Sequence, residues 1–353
     1  MSISTDFALE KNHIRQSKPQ RAAVLSAPRT YIIQSEPRPV CAPDEVLIRL
    51  QGCGVCASSI PVWEGRPWFT YPLPAGAPGH EGWGHIVATG EDVAGLMADL
   101  EVGQRVACLG DRAYAERIKV PADHVVPLPP ELDGIPFPGE AIGCAMNIFR
   151  RSDIRAGQSV AIIGAGFLGL LLVQLAVAAG ATVYALSRRA SARDLAQEFG
   201  AAATFDTEDW WGNAQKVVAL TGNRGCDRVI EVTGMQFALD TATEMIAEYG
   251  KLIIAGFHQD GMRQVKMETW NWRAIDVVNA HERDPRRYVE GMRKGIAATA
   301  EGRIRPQVLL THSFALEELD QAFQLMIDRP DGFIKGWIQL SQTREPGNRP
   351  CDH

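Results

Sequence analysis

A cysteine, a histidine and a carboxylate in the first 150 residues are of the types that bind zinc. Cys56 follows a strand-like stretch, and His80 lies in a glycine-rich stretch a short way downstream. Thiolate sulfur and imidazole nitrogen are donors that zinc prefers. A catalytic zinc takes three protein ligands and keeps a fourth position for water or substrate. A third donor is therefore required, and Glu140 and Cys144 are the candidates.

Cys53 and Cys56 also form a Cys-x-x-Cys pair, which in other contexts is a redox disulfide. Here the pair follows a strand within a β-rich region and does not open a helix, so we favour the metal. Cys144, if it is not a ligand, is interpreted as a small buried hydrophobic residue.

A glycine fingerprint predicts a dinucleotide site. After the apolar strand 159–163 the chain reads Gly164-Ala165-Gly166-Phe167-Leu168-Gly169 and continues as a long apolar helix. Gly164 permits the tight turn, Gly166 lets the backbone approach a pyrophosphate, and Gly169 allows close packing of helix on strand. Main-chain N–H groups at the start of the helix, at Phe167 and Leu168, then face the phosphate charge.

The end of the second strand of this region indicates which dinucleotide is bound. An NAD site usually places Asp or Glu there, to accept hydrogen bonds from the ribose hydroxyls. This chain has Ser187, Arg188 and Arg189 instead. Guanidinium groups can bind a 2′-phosphate through paired hydrogen bonds, so we predict NADP(H) in preference to NAD(H). The alternative is that both arginines are solvated residues at a helix start.

The elements that must position these residues fall into two types. Up to about residue 130 the pattern is β-rich, with strands predicted at 22–25, 45–50, 84–90, 105–109 and 116–120. From about residue 147, strands at 159–163, 182–186, 228–232 and 251–255 alternate with helices that end near 179 and span 190–199. A helix over 285–300 and short strands at 308–310 and 336–340 follow. Alternating strands and helices predict an α/β fold with a parallel sheet covered on both faces.

Composition limits the classes of partner. The 353 residues are 46% hydrophobic and 22% charged with a net charge of −6, and they contain no basic run, which argues against nucleic acid. The longest apolar run, 168–179, is too short to cross a membrane. Residues 1–18 lack the apolar core of a signal peptide and are predicted to be a flexible tail. Seven scattered cysteines do not suggest a disulfide framework, so a cytoplasmic location is expected.

Taken together, these motifs resemble the zinc-containing medium-chain alcohol dehydrogenases, most closely their sorbitol (polyol) dehydrogenase branch. The resemblance covers about residues 21–340 and depends on Gly-Val-Cys56, Gly79-His80-Glu81, the late fingerprint and the order of the two regions. It implies a GroES-like catalytic domain formed by residues 1–146 and 285–353, and a Rossmann domain formed by residues 147–284. It also implies a homodimer or homotetramer.

The same resemblance implies roles for the candidate ligands. Cys56 and His80 match the zinc-binding cysteine and histidine, and Glu81 matches a carboxylate that lies beside the metal or occasionally binds it. The third ligand in this family lies about two dozen residues before the first fingerprint glycine. Glu140 lies 24 residues before Gly164 and Cys144 only 20, so Glu140 is the predicted third ligand.

Neighbouring positions both follow and depart from the family pattern. Ser58 matches the hydroxyl that carries a proton away from the substrate. Ser59 stands where an aspartate is usual, and Pro61 where many members have a relay histidine. The four closely spaced cysteines of the structural zinc lobe are absent between about residues 92 and 114, so at most one zinc per subunit is predicted.

The implied activity is zinc-dependent, NAD(P)-linked hydride transfer between a secondary alcohol and nicotinamide C4, with zinc acting as a Lewis acid. A polyol, cyclitol or sugar-like substrate is favoured, and the aromatic residues near the ligand loops are either pocket walls or core: Trp63, Trp68, Phe69 and Trp83. Two alternatives stay open. One is a zinc-free quinone or enoyl reductase of the same superfamily, and the other is a non-catalytic nucleotide-binding protein.

Overall fold

Six parallel strands form one of the two main sheets. The computed structural model describes residues 19–340. The spatial order is β10 (Ala203–Phe205), β9 (Thr182–Leu186), β8 (Ser159–Ile163), β11 (Cys226–Glu231), β12 (Ile246–Ile254) and β13 (Asp276–Asn279). Numbered within the sheet this is 3-2-1-4-5-6, the order of the doubly wound dinucleotide-binding fold. The strand order reverses between β8 and β11, which creates a crevice there, and the predicted fold class is confirmed.

The sequence explains why this sheet is buried on both faces. Val160 to Ile163 of β8 are all buried, as are Val183 to Leu186 of β9. Strands with apolar residues on both faces require helices on both sides. The helices that follow the strands are α4 (Phe167–Ala178), α5 (Ala190–Glu198), α6 (Trp210–Leu220), α7 (Gln236–Met245) and α8 (Met267–Trp272).

The second main sheet is largely antiparallel and has seven strands. Its order is β14 (Leu310–Ala315), β15 (Lys335–Gln339), β3 (Glu45–Gly54), β4 (Glu81–Thr89), β5 (Arg105–Cys108) and β7 (Val125–Pro127), and β6 (Arg117–Pro121) pairs with β3. A separate ladder joins β1 (Gln20–Ala27) to β2 (Thr30–Glu36). Three further helices belong to this region: α1 (Ile60–Glu64), α2 (Val93–Leu96) and α10 (Leu319–Asp328). Strands from the C-terminal part of the chain therefore complete a sheet begun near the N-terminus, although the domain boundaries remain a prediction.

Two long helices, α3 (Gly139–Ser152) and α9 (Pro285–Ala300), pack against each other. The span of α9 agrees with the prediction. Asp284 caps its start by accepting a hydrogen bond from the main-chain N–H of Arg286 at 3.0 Å, and Pro285 occupies the first turn, where no N–H partner is needed. The first turn of α3 carries Glu140.

Some elements differ from the predictions. The strand predicted at 308–310 is wrong, because Pro306–Leu309 form a 3₁₀ turn and β14 begins only at Leu310. Strand β2 and helix α10 were not predicted. The predicted tail, residues 1–18, lies outside the described residues. Within residues 19–340, none of the helices combines the length and apolar character needed to span a bilayer.

Candidate metal and cofactor sites

Three donor atoms converge where the end of β3 meets the start of β4. The sulfur of Cys56, a ring nitrogen of His80 and a carboxylate oxygen of Glu81 all lie within 4.8 Å of one another. Cys56 follows β3, and His80 immediately precedes β4, which pairs with β3 in a register that sets Gly54 opposite Glu81. The hairpin formed by β3 and β4 therefore brings together side chains that are separated by a long loop in the sequence.

Hydrogen bonds orient the first two donors. His80 Nδ1 lies 2.9 Å from the carbonyl oxygen of Pro78. A carbonyl can only accept, so Nδ1 carries a hydrogen, and Nε2 is the atom that would bind a metal. Ser58 Oγ donates to Cys56 Sγ at 3.2 Å, in the short 3₁₀ turn that follows Cys56. The structure thus places the predicted proton-carrying hydroxyl beside the predicted ligand.

The charges in this cluster favour a cation. Burial alone would lower the pKa of His80, but the electrostatic interaction and hydrogen bond with Cys56 and the carboxylates of Glu140 and Glu81 together raise that pKa well above its usual range. Such an excess of negative donors around one imidazole is what a bound divalent ion would neutralise. A donor set of sulfur, nitrogen and oxygen also fits zinc, so the residues present are compatible with the metal.

Glu140, the third ligand predicted from the sequence, lies near this cluster without belonging to it. Its side chain is buried and accepts a hydrogen bond from Cys144 Sγ at 3.3 Å. Burial first, and then the charge of Glu81, raise the pKa of Glu140, while His80 opposes the change. Among the described residues the compact group of donors therefore contains Glu81 and not Glu140 or Cys144.

A buried lysine that the sequence analysis did not identify forms an ion pair with Glu81. Lys335, the first residue of β15, is 7% exposed, and its Nζ lies 2.9 Å and 2.7 Å from the two carboxylate oxygens of Glu81. Gly54 makes room for this pair, because a Cβ at that position would lie 1.8 Å from Glu81 Oε2. Lys335 Nζ is also 4.9 Å from the centre of the Phe167 ring, at the start of α4. This lysine therefore lies between the metal cluster and the cofactor helix.

The aromatic residues near the ligand loops divide between core and surface. Trp63 and Trp83 are 2% and 1% exposed, and Trp63 donates to Asp320 Oδ1 at 2.7 Å. Both are core residues. Trp68 is 64% exposed and has Phe69 as a ring neighbour at 6.0 Å between centroids. Of these four aromatic residues, Trp68 and Phe69 are therefore the candidates for contact with a substrate.

The dinucleotide fingerprint lies at the crevice between β8 and β11. Gly164 has a φ of +112°, which favours glycine, and a Cβ there would lie 2.7 Å from a methyl carbon of Thr233. A Cβ on Gly166 would meet nothing within 4 Å, so open space adjoins the backbone at the position expected to face a pyrophosphate. Phe167 and Leu168 open α4. This geometry fits a dinucleotide on the helix N-terminus.

The turn after β9 carries the residues that are predicted to select the cofactor. Ser187 is buried and Arg188 is exposed. Arg193 of α5 donates to the carbonyl oxygens of Ser187 and Arg188, at 2.8 Å and 2.9 Å, and so holds the turn in place. Arg189 Nη2 reaches the carbonyl oxygen of Ala165 in the fingerprint at 3.5 Å. Its Nη1 atom is buried and has no hydrogen-bond partner among the described residues.

A buried carboxylate organises the loop that packs on the fingerprint. Glu231, at the end of β11, is 0% exposed. It accepts hydrogen bonds from the main-chain N–H of Thr233 at 2.5 Å and of Gly234 at 2.8 Å, and from Thr233 Oγ1 at 2.6 Å. His258 Nε2 lies 2.9 Å from its other oxygen. Because Arg263 Nε donates to His258 Nδ1 at 2.8 Å, the ring hydrogen is on Nε2 and points to Glu231.

Replacing Glu231 with glutamine is expected to lower the free energy of unfolding by about 2 kcal/mol, since hydrogen bonds to charged groups contribute roughly 1.5–3 kcal/mol. The glutamine side chain keeps one oxygen as an acceptor, but its NH₂ group faces groups that are themselves hydrogen-bond donors. Urea denaturation measures the change. Glu198→Gln, which removes an exposed ion pair with Arg305, is the control and should change stability by less than about 0.5 kcal/mol. Equal effects of the two variants would show that the Glu231 network is not stabilising.

Comparisons with known proteins agree with this geometry. Residues 42–130 match the model of the alcohol dehydrogenase GroES-like domain, and residues 168–294 match that of the zinc-binding dehydrogenases. An L-threonine 3-dehydrogenase from Ruegeria pomeroyi is 28% identical over 346 residues, covering 89% of this chain and 95% of the relative. A sorbitol dehydrogenase from Halalkalibacterium halodurans is 25% identical over 326 residues, covering 83% and 91%.

A solved structure extends the likeness over nearly the whole chain. A protein from Sinorhizobium meliloti, described as a zinc-binding dehydrogenase and bound to NADP, is 26% identical with a TM-score of 0.77 and covers 92% of this chain and 100% of its own. The two family models together match more than half of the residues. The chain belongs to the zinc-binding, medium-chain alcohol dehydrogenase family and is an NAD(P)-dependent oxidoreductase that acts on CH–OH groups.

Proposed function

We propose that this protein oxidises a secondary alcohol on a polyol, cyclitol or sugar-like molecule, and reduces the matching ketone in reverse, with one catalytic zinc per subunit and NADP(H) as the preferred cofactor. The observation that carries the proposal is the convergence of Cys56, His80 and Glu81 beside the start of the cofactor helix. Threonine, at carbon 3, and sorbitol both carry secondary hydroxyls, so the names of the two relatives support a secondary alcohol as substrate, and sorbitol supports a polyol.

Cys56, His80 and a carboxylate would hold the zinc. We propose Glu81 as that carboxylate, because its oxygen is already within reach of the other two donors, with Glu140 as the second candidate. The metal would supply Lewis acidity that lowers the pKa of a substrate hydroxyl, and the nicotinamide would supply the hydride acceptor. Cys53 plays no part in this scheme, because it is fully buried in β3.

The protein's own residues orient the reactants and move the proton. The Pro78 carbonyl fixes the tautomer of His80, and the hydroxyl of Ser58, next to Cys56, takes the proton that leaves the substrate. Pro61, where a relay histidine would stand, is buried and cannot carry a proton, so the route from Ser58 to solvent does not pass through that position. Ser59, which is buried, stands where an aspartate is usual in the family. The cluster therefore lacks the hydrogen-bond acceptor that an aspartate would supply there.

The NADP preference is supported by the turn after β9. Within that turn the guanidinium groups of Arg188 and Arg189 replace the expected carboxylate, and the buried Nη1 of Arg189 has no partner within the described part of the chain. A charged donor that is buried without a partner is costly, and a phosphate oxygen would satisfy it.

A homo-oligomer is proposed from the apolar surface at one end of the parallel sheet. Strand β13 pairs with β12 on one side and ends the sheet. Large apolar side chains are exposed in this region, with Tyr249 80% and Trp272 87% exposed, and Val277 of β13 itself 41% exposed. A second copy of the chain would cover such an edge.

Zinc content tests the proposed function directly. Elemental mass spectrometry of the wild-type protein should find about one zinc per subunit, and Cys56→Ser should lose it because a hydroxyl is a poor zinc donor. Cys41→Ser is the matched control, since this half-buried thiol lies outside the cluster and should keep the metal. Absence of zinc in wild-type protein purified with zinc and without chelators would refute the proposal and favour a zinc-free reductase or a non-catalytic role.

Zinc analysis also distinguishes the two candidate carboxylates, and an activity assay distinguishes the candidate substrates. Glu81→Gln should weaken zinc binding more than Glu140→Gln; the reverse order would make Glu140 the third ligand. Reduction of NADP⁺ and NAD⁺ by sorbitol, cyclitols and L-threonine then tests the substrate class. Turnover of threonine alone would exclude the polyol proposal while leaving the zinc chemistry in place.

A further inference from the structure

The turn after β9 is in contact with a segment from the other end of the chain. Asp331 Oδ1 accepts hydrogen bonds from the main-chain N–H of Ser191 at 3.0 Å and from Ser191 Oγ at 2.6 Å. The N–H of Gly332 donates to Ser191 Oγ at 2.8 Å. These three bonds fix residues 329–332, which connect α10 to β15, against the first turn of α5. The segment therefore adjoins the predicted cofactor-selecting loop.

This contact adds a third guanidinium to the two already present. Burial first, and then the positive charges of Arg329 and Arg188, lower the pKa of Arg189 from its ordinary value. The carboxylate of Asp331 opposes this change, but it is already engaged by Ser191. An anion bound among three like charges would relieve their mutual repulsion. The buried, unpartnered Nη1 of Arg189 is an independent sign that a ligand atom belongs there.

Arg329 has a left-handed backbone conformation at the end of α10. Arg329 follows the last residue of α10 and has a φ of +44° and a ψ of +59°, with its N–H donating to the carbonyl oxygen of Leu325 at 2.9 Å. Glycine and asparagine are the residues that adopt this left-handed conformation without strain. The Arg329 Nε donates to the carbonyl oxygen of Met326 at 3.0 Å, so the two terminal nitrogens of the guanidinium are the atoms that could bind a ligand.

We propose that Arg329 is a specificity-determining residue that binds the 2′-phosphate of the cofactor together with Arg188 and Arg189. The inference depends on the NADP preference proposed above and extends it, because the third arm of the site comes from the C-terminal segment and not from the Rossmann sheet. A 2′-phosphate dianion offers three oxygens, enough for paired hydrogen bonds from more than one guanidinium. NADP(H) is thus held by both parts of the chain, whereas NAD(H) lacks the group that reaches Arg329.

Calorimetric titration with two nucleotide fragments tests this role without requiring turnover. 2′,5′-ADP and 5′-AMP differ only in the 2′-phosphate, and both are titrated into the full-length protein. Wild type should bind 2′,5′-ADP more tightly. Arg329→Gly should weaken the affinity for 2′,5′-ADP about 10-fold or more, because the variant loses a hydrogen bond to a charged group. The affinity for 5′-AMP should not change. Arg329→Lys, which keeps the charge and loses the planar fork, should fall between the two.

Glycine suits the left-handed backbone, so Arg329→Gly should fold normally, and thermal unfolding verifies this. Arg29→Gly is the matched control, because Arg29 also has a positive φ, of +57°, and contacts Trp63 far from the turn. It should not change the affinity for either nucleotide. If wild type does not prefer 2′,5′-ADP, the proposed NADP preference fails. If wild type prefers it and Arg329→Gly does so equally, the NADP preference stands and the role of Arg329 is refuted.

Discussion

His80→Ala is expected to abolish zinc binding and to lower kcat/KM by about 10³-fold or more, because metal-ion catalysis contributes several kcal/mol of transition-state stabilisation. His80 is the nitrogen donor of the cluster, and its ring is oriented by the Pro78 carbonyl. Without it, Cys56 and Glu81 leave two anionic donors, too few for a stable catalytic site. Steady-state kinetics and elemental analysis on the same preparation measure both effects.

The affinity for NADPH should remain unchanged in this variant. The cofactor is expected to contact the fingerprint at 164–169 and the turn after β9, and none of these residues belongs to the metal cluster. Binding by calorimetry therefore distinguishes loss of the metal from loss of the fold. His124→Gln is the control, since His124 lies in a 3₁₀ turn beside Asp123. Full activity of zinc-depleted His80→Ala would contradict the metal mechanism.

The cofactor half of this protein was largely predictable because its signals are local. Strands β8 and β9 and helix α9 begin and end where the sequence predicts. In each of them the signal, a continuous apolar run or a capping residue, lies within the element or directly beside it. The fingerprint adds a glycine pattern whose physical requirements, a positive φ at Gly164 and close packing at Gly169, are also local.

The metal site was only partly predictable because its parts are distant in the chain. Cys56 and His80 were identified by residue type, and Glu81 by its neighbour. That Glu81, and not Glu140, lies within 4.8 Å of the other two donors could be known only from the three-dimensional distances. Lys335 lies 254 residues from Glu81 in sequence and reaches it only because β15 pairs with β3. A lysine at the start of an apolar strand was the available signal, and the predicted strand began one residue too late to include it.

The misassigned strand at 308–310 has a simple cause. Val308, Leu309 and Leu310 are an apolar run of the length of a short strand, and such runs fit buried strands or helical turns equally well. Pro306 at the start favours the 3₁₀ turn, and the alternation of half-buried and exposed residues typical of a strand begins only at Leu310. Periodicity, not hydrophobicity, marks the start of β14.

Lys335→Met is expected to lower the free energy of unfolding of the zinc-free protein by about 3–5 kcal/mol, the usual effect of removing one partner from a buried ion pair. Burial alone would lower the pKa of Lys335, but the charges of Glu81, Cys56 and Glu140 raise it, so the lysine is charged at neutral pH. Methionine removes this charge and leaves the 0% exposed carboxylate of Glu81 uncompensated. Urea denaturation in the presence of a chelator measures the loss.

Lys294→Met is the control, since Lys294 pairs with Glu290 on the exposed face of α9 and should contribute less than about 0.5 kcal/mol. In Glu81→Gln/Lys335→Met neither charge remains, so the double variant should be more stable than Lys335→Met alone. A sum of the two single effects would instead mean that the pair is not coupled.

Zinc makes the Lys335 prediction specific to this site. Lys335→Met leaves the Glu81 carboxylate without its ion-pair partner. If Glu81 is a metal ligand, a bound Zn²⁺ compensates the charge of that carboxylate. The loss of stability should then be clearly smaller with saturating zinc than with the chelator. The difference must be compared with wild type under the same two conditions, because zinc stabilises any variant that binds it. An equal loss with and without zinc would show that Glu81 faces Lys335 alone, and the third ligand would then be Glu140. The stability of one buried ion pair thus reports which carboxylate completes the metal site.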